Sequence, residues 1–162
     1  MNPSYKTSIH ASVWGPHWDL RGISLAVESA AAIGYDHVVV SLRRFEDINV
    51  ANKRVLMRVD FNVPIADGKV TNDRRIVQAL PTIKQVLGQG ARLVLMSHLG
   101  RPAGKGYEAE YSMKPAADRL AELIANKVTL GPKDVAGPEA EKLAANLKAG
   151  EVLILENVRF HA

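Results

Sequence analysis

Leu93-Val94-Leu95-Met96-Ser97-His98-Leu99-Gly100-Arg101-Pro102 is an unbroken apolar run followed at once by a polar turn that carries a histidine and an arginine. A short run of this kind reads as a strand buried on both faces, and the turn at its carboxyl end is where an open α/β sheet keeps its ligand site. The arrangement occurs twice more. Arg54-Val55-Leu56-Met57 leads into Arg58-Val59-Asp60-Phe61-Asn62-Val63-Pro64, and Val152-Leu153-Ile154-Leu155 leads into Glu156-Asn157-Val158-Arg159-Phe160-His161. Three strand ends therefore direct polar groups at one rim.

Between these runs the spacing alternates strand and helix. It predicts strands at 54–58, 92–96, 127–130 and 151–155 and helices at 74–87, 113–125 and 138–147. That alternation implies right-handed crossovers and a mostly parallel, Rossmann-like α/β sheet with helices on both faces. Ile76, Leu80, Ile83 and Leu87 form the apolar stripe of the first helix. Pro81 should kink or restart that helix, and Gly90 should end it. Ser112 can cap the second helix, with Pro115 in its first turn where a missing N–H costs little. A sheet that stops after Leu155 would leave its last strand without a neighbour, an edge through which a second chain could associate.

The 162 residues, 47% hydrophobic and 23% charged, suffice for one domain with a real core but not for two full ones. There is no cysteine, which excludes disulfides and thiolate metal sites and suits a reducing cytoplasm. No apolar run reaches the length of a membrane-spanning helix, and the first residues do not form a signal peptide. The net charge of +4 comes from basic residues dispersed among acidic ones, so neither nucleic acid nor a membrane is the expected partner. No His/Asp/Glu cluster has metal-ligand spacing, and no nucleophile–base triad can be assigned. Gly100, Gly104 and Gly106 beside Lys105 lack the spacing of a phosphate-binding loop and read as a flexible loop.

Residues 7–42 read as a separate βαβ unit, with strands at 8–13 and 37–41 and a helix over 20–33 between Asp19 as N-cap and Gly34 as stop. Through Ile9-His10-Ala11-Ser12-Val13-Trp14 and Gly34-Tyr35-Asp36-His37-Val38-Val39-Val40 it resembles the start of a sugar isomerase or ketose 3-epimerase TIM barrel. Such barrels carry their catalytic groups on later strands, so Trp14, Trp18, His10 and His17 read as packing. Residues 41–44 form a seam, which divides the chain into 1–42 and 43–162.

From about Leu42 to Ala162 the three strand-end signatures resemble the N-terminal, 3-phosphoglycerate-binding domain of phosphoglycerate kinase. Asn72-Asp73-Arg74-Arg75-Ile76 and Ser112-Met113-Lys114-Pro115 add to the likeness. The resemblance implies a truncated domain of that fold, cytoplasmic, from a glycolytic enzyme that transfers phosphoryl groups between 1,3-bisphosphoglycerate and ADP. It places Mg-ATP/ADP on a nucleotide domain absent from this chain. It further implies that His98, Arg101 and Arg159 hold the non-transferred phosphate, that Asp60 and Asn62 fix the hydroxyl and the atoms near the carboxylate, and that Arg75 reaches the reacting carboxyl end. Read alone, each residue has a plainer use: Asp60 and Asn62 in a turn beside Pro64, His98 as a loop histidine, Arg75 as a solvated helix residue. Their convergence past strand ends favours a site. Two alternatives stay open, a module that binds a small phosphate without reacting it and a chimera related to sugar epimerases.

Overall fold

The computed structural model describes residues 8–10, 37–39 and 49–161. The chain forms two compact units, Met1–Ile48 and Asn49–Ala162. In the first, β1 (Ser8–His10) and β2 (His37–Val39) pair in parallel, with Ser8 opposite His37 and His10 opposite Val39. The helix expected at 20–33, its caps Asp19 and Gly34, and Trp14, His17 and Trp18 lie outside the described residues.

The second unit carries β3 (Arg54–Arg58), α1 (Arg74–Gly88), β6 (Arg92–Met96), α2 (Lys114–Leu123), β7 (Val128–Leu130), α3 (Pro138–Asn146) and β8 (Val152–Ile154). Between β3 and α1 lies a hairpin that the sequence reading passed over, β4 (Ile65–Ala66) and β5 (Lys69–Val70), paired antiparallel. Its turn residues Asp67 and Gly68 both have positive φ, 50° and 72°. An Asp-Gly pair is suited to that left-handed turn, and here the alternating flanks were too short to show as strands.

The main sheet has the order β3-β6-β8-β7, all parallel. The chain therefore steps outward from β3 to β6 to β7 and then back to place β8 in the gap. This corrects the expected edge: β8 is interior, and among the described residues β3 and β7 have one neighbour each. The burial follows. Val152, Leu153 and Ile154 of β8 are fully buried, whereas Leu56 on β3 is 61% exposed.

Alternate residues of the two inner strands serve opposite faces. Leu93, Leu95, Val152 and Ile154 are buried together with Ile76, Ile83 and Val86 of α1 and Leu120 of α2, and α1 packs against both β6 and α2. Val94 and Leu153 turn the other way, into a cluster with Leu143 and Ala144 of α3 and with Leu147. The change of face between α2 and α3 matches the reversal of direction at β8, since same-handed crossovers running opposite ways lie on opposite sides of a sheet.

Two local expectations need amendment. α1 runs without restarting through Pro81, whose missing N–H would have met the carbonyl of Val77. Val77 is 43% exposed, so water can serve that carbonyl. Ser112 does not act as the N-cap residue of α2, which is Met113, although its Oγ accepts from the Lys114 amide at 3.2 Å. The Met113 amide instead donates to the distant carboxylate of Glu156 at 2.6 Å.

Truncation of a side chain in the β6–β8 core should therefore cost far more than one on β3. In urea unfolding, Ile154→Ala is expected to lose about 2–5 kcal/mol by leaving a cavity, and Leu56→Ala to change stability by less than about 0.5 kcal/mol.

Candidate functional site

The direction of the chain across the sheet reverses at β8, and a crevice past the carboxyl ends of the strands at such a reversal is the general ligand position in open α/β sheets. Three turns meet there. Past β3, the Val59 amide still donates to Met96 O at 3.0 Å, and the Phe61 amide donates to the buried hydroxyl of Ser97 at 2.9 Å. Past β8, the Leu155 amide donates to Leu95 O and the Val158 amide to Ser97 O. Ser97 thus fastens both flanking turns to the end of the central strand.

Asp60 and Asn62 build the first turn as well as facing the rim. The Asn62 amide donates to Asp60 Oδ1 at 3.2 Å, closing an Asx turn, and Asn62 Oδ1 accepts from the Gly100 amide at 2.9 Å. Arg75, in the first turn of α1, places Nη1 at 2.9 and 2.7 Å from the two carboxylate oxygens of Asp60. Both partners are at least half exposed, 50% and 60%, so water screens the pair and its contribution to folding is small. On the other side, Arg159 Nη1 donates to Gly100 O at 2.8 Å.

Gly100 lies at the centre of these contacts with φ of +61°. A Cβ added there would stand 2.5 Å from Cδ1 and Cε1 of Tyr111. Glycine is required on both counts, for the left-handed backbone and for the close approach of the ring.

His98 faces the same space. Its pKa is held below the ordinary 6.5, first by burial and then by the positive charge of Arg159, with Arg58 and Arg75 acting the same way and Asp60 opposing. Imidazole and guanidinium groups on one rim suit an anion with several oxygens.

The structure thus links Asp60, Asn62, Arg75 and Arg159 through Gly100 or by ion pair, and sets His98 within their field. Arg101 is exposed and has no ion pair or hydrogen bond among the described residues. Sequence reasoning missed Arg58, the last residue of β3, which acts on His98, and Asn157, which is fully buried. Its signal was available: a Glu-Asn pair directly after an apolar run puts two polar side chains where the core ends.

Among the described residues no group of three or more His, Asp or Glu could hold a metal ion, and no helix is long and apolar enough to cross a membrane. A cavity of about 530 Å³ lies away from the rim, lined by the hairpin, Asp73, Pro115, Asp118, Arg119 and Glu122. Arg119 is committed there to Asp73 and Glu122 at 2.7 and 2.6 Å.

The family model for phosphoglycerate kinase matches residues 45–162. A phosphoglycerate kinase of Chloroherpeton thalassium is 60% identical over 116 residues, 72% of this chain and 29% of its own. Phosphoglycerate kinase 1 of Rhizopus niveus is 52% identical over 71% of this chain and 27% of its own. Among solved structures, the phosphoglycerate kinase of Pyrococcus horikoshii superposes with a TM-score of 0.63 at 39% identity, covering 75% of this chain and 29% of its own. That of Coxiella burnetii superposes with a TM-score of 0.60 at 38% identity, covering 73% and 28%. The chain spans less than a third of the length of these relatives.

Two outcomes are expected. Gly100→Ala should cost about 1–3 kcal/mol in urea unfolding, because its backbone is strained and its methyl meets Tyr111. For His98, the folded state binds its proton later than the unfolded state on acidification. Its contribution to stability is therefore present above the ordinary value of 6.5 and is lost as pH falls through the lowered folded value. Melting temperatures of the parent chain and His98→Gln, compared on acidification from neutral pH, should show a smaller fall in the variant.

Proposed function

Because the chain belongs to the phosphoglycerate kinase family, we propose that residues 43–162 form the part of such an enzyme that binds 3-phosphoglycerate or 1,3-bisphosphoglycerate. The reading is carried by one observation above the rest: Asp60, Asn62, Arg75, His98 and Arg159, from four separate segments, gather past the carboxyl ends of β3, β6 and β8. In this assignment His98, Arg101 and Arg159 take the non-transferred phosphate, with Arg58 adding to the field. Asp60 and Asn62 take the hydroxyl and the atoms near the carboxylate. Arg75 takes the reacting carboxyl end and, as negative charge spreads over the transferring group, stabilises the transition state. Each charge-assisted contact is worth roughly 1.5–3 kcal/mol.

Phosphoryl transfer requires both reactants held in line. The rim's one carboxylate among the described residues is bound to Arg75, so these residues do not fit the magnesium of Mg-ATP or Mg-ADP, and no step is assigned through that group. The activity of the whole enzyme, in the cytoplasm, is thus proposed for the family's complete chain. For residues 43–162 alone, binding without turnover is the second reading, because the rim gathers groups for one reactant and transfer needs two. Residues 1–42 are proposed as a unit of separate, sugar-isomerase-like origin. Self-association through an open sheet edge is proposed at β3 or β7, the edge strands among the described residues, rather than at β8.

Titration of the chain with 3-phosphoglycerate should shift the amides of Asn62, Arg75, His98, Gly100, Arg101 and Arg159. Shifts confined to His10 and His37–Val39 would defeat the assignment. In an enzyme completed with a nucleotide domain, Arg75→Ala should lower kcat by more than it raises KM, and Arg101→Ala should chiefly raise KM. Equal effects on both constants would remove the distinction between their roles.

A further inference from the structure

We propose that Asn157 is the positioning residue of the phosphate end of this site, acting on Arg159 through the Leu99–Gly100 peptide. The proposal rests on the reading that this rim binds a phosphate group.

Asn157 is fully buried, and both N–H groups of its side-chain amide are bonded. Nδ2 donates to Leu99 O at 2.7 Å and to Tyr111 O at 2.9 Å, and Oδ1 accepts from the Arg159 amide at 3.1 Å. In a trans peptide the C=O and N–H point in opposite directions. Asn157 therefore grips the Leu99–Gly100 peptide by its oxygen while Asn62 grips it by its N–H. With that plane fixed, the next carbonyl, Gly100 O, is aimed at the Arg159 guanidinium. The second carbonyl that Asn157 holds belongs to Tyr111, whose ring fills the place a Gly100 side chain would take. One amide group thus sets the peptide, the arginine backbone and the aromatic stop together.

The neighbouring Glu156 anchors this arrangement. Its buried carboxylate accepts from the Ser112 hydroxyl at 2.7 Å, the Met113 amide at 2.6 Å and the Asn157 amide at 2.9 Å. Asn157 is therefore held by its backbone before its side chain acts. An aspartate could not replace it, because it would present an oxygen to two carbonyl oxygens. An apolar residue would leave two carbonyls and one amide unpaired.

The test uses Asn157→Ala and the milder Asn157→Ser, which keeps an oxygen for the Arg159 amide but is too short for the two carbonyls. Each is made alone and with Arg159→Lys, and titrated by amide NMR with inorganic phosphate and with 3-phosphoglycerate. Both single variants should leave the core amides of Leu93, Leu95 and Ile154 in place, shift those of Gly100 and Arg159, and lose about tenfold in phosphate affinity. The double variant Asn157→Ser/Arg159→Lys should bind no worse than Arg159→Lys alone, because one role runs through the other. Unchanged phosphate affinity in a folded Asn157→Ser chain overturns the proposal, as does a loss that simply adds to that of Arg159→Lys. Phosphate binding that depends on Asn157 in a chain indifferent to 3-phosphoglycerate would overturn the substrate reading and uphold this one.

Discussion

The position of β8 between β6 and β7 is the constraint on which the rim depends. Val152 and Ile154 lie opposite Leu93 and Leu95 on one face, and Leu153 lies opposite Val94 on the other. A strand shifted by one residue would exchange these faces and expose its apolar side chains. The register is therefore fixed by burial, and the residues just past it have fixed places too. Leu155 bonds back to Leu95, Val158 bonds to Ser97, and Arg159 arrives opposite Gly100. Core packing in the middle of the sheet thus determines where a guanidinium stands at its end.

Much of the fold was legible because buried parallel strands and amphipathic helices leave strong local patterns. The strands 54–58 and 92–96 and the first helix emerge with the bounds expected, or within a residue of them. Strand order was not legible. Nothing local in Val152-Leu153-Ile154 distinguishes an interior strand from an edge, and the reversal at β8 is decided by which neighbours offer two apolar faces. The route of the Met113 amide to Glu156 was hidden for the same reason, since the partners are 43 residues apart. Pro81 misled because propensity assumes that the carbonyl losing its partner is buried, whereas here that turn faces water.

The candidate site was legible as a set of residue types at strand ends, but not as a set of contacts. Asp60 and Asn62 had both a turn-forming and a ligand-binding reading, and their geometry supplies the turn while leaving them at the rim. Arg101 belongs to the strongest motif in the chain yet is tied to nothing among the described residues, whereas Asn157, given no role, holds three backbone groups. Sequence motifs draw attention to residues whose chemistry is conspicuous. The residues that orient them are buried amides, whose importance lies in which backbone atoms they reach.

The Asp60–Arg75 pair has a consequence for selectivity. Arg75 already has a counter-ion, and that same carboxylate is engaged by the Asn62 amide. Only Nη1 of Arg75 meets Asp60, so its other N–H groups stay open to an anion, but the carboxylate beside them offsets part of the guanidinium's charge. In the site proposed above, a chloride or a lone carboxylate therefore gains little at Arg75 alone. A ligand that also engages Arg159 and His98 adds contacts a small ion cannot make, so the internal carboxylate tilts the proposed rim toward ligands with two separated anionic ends.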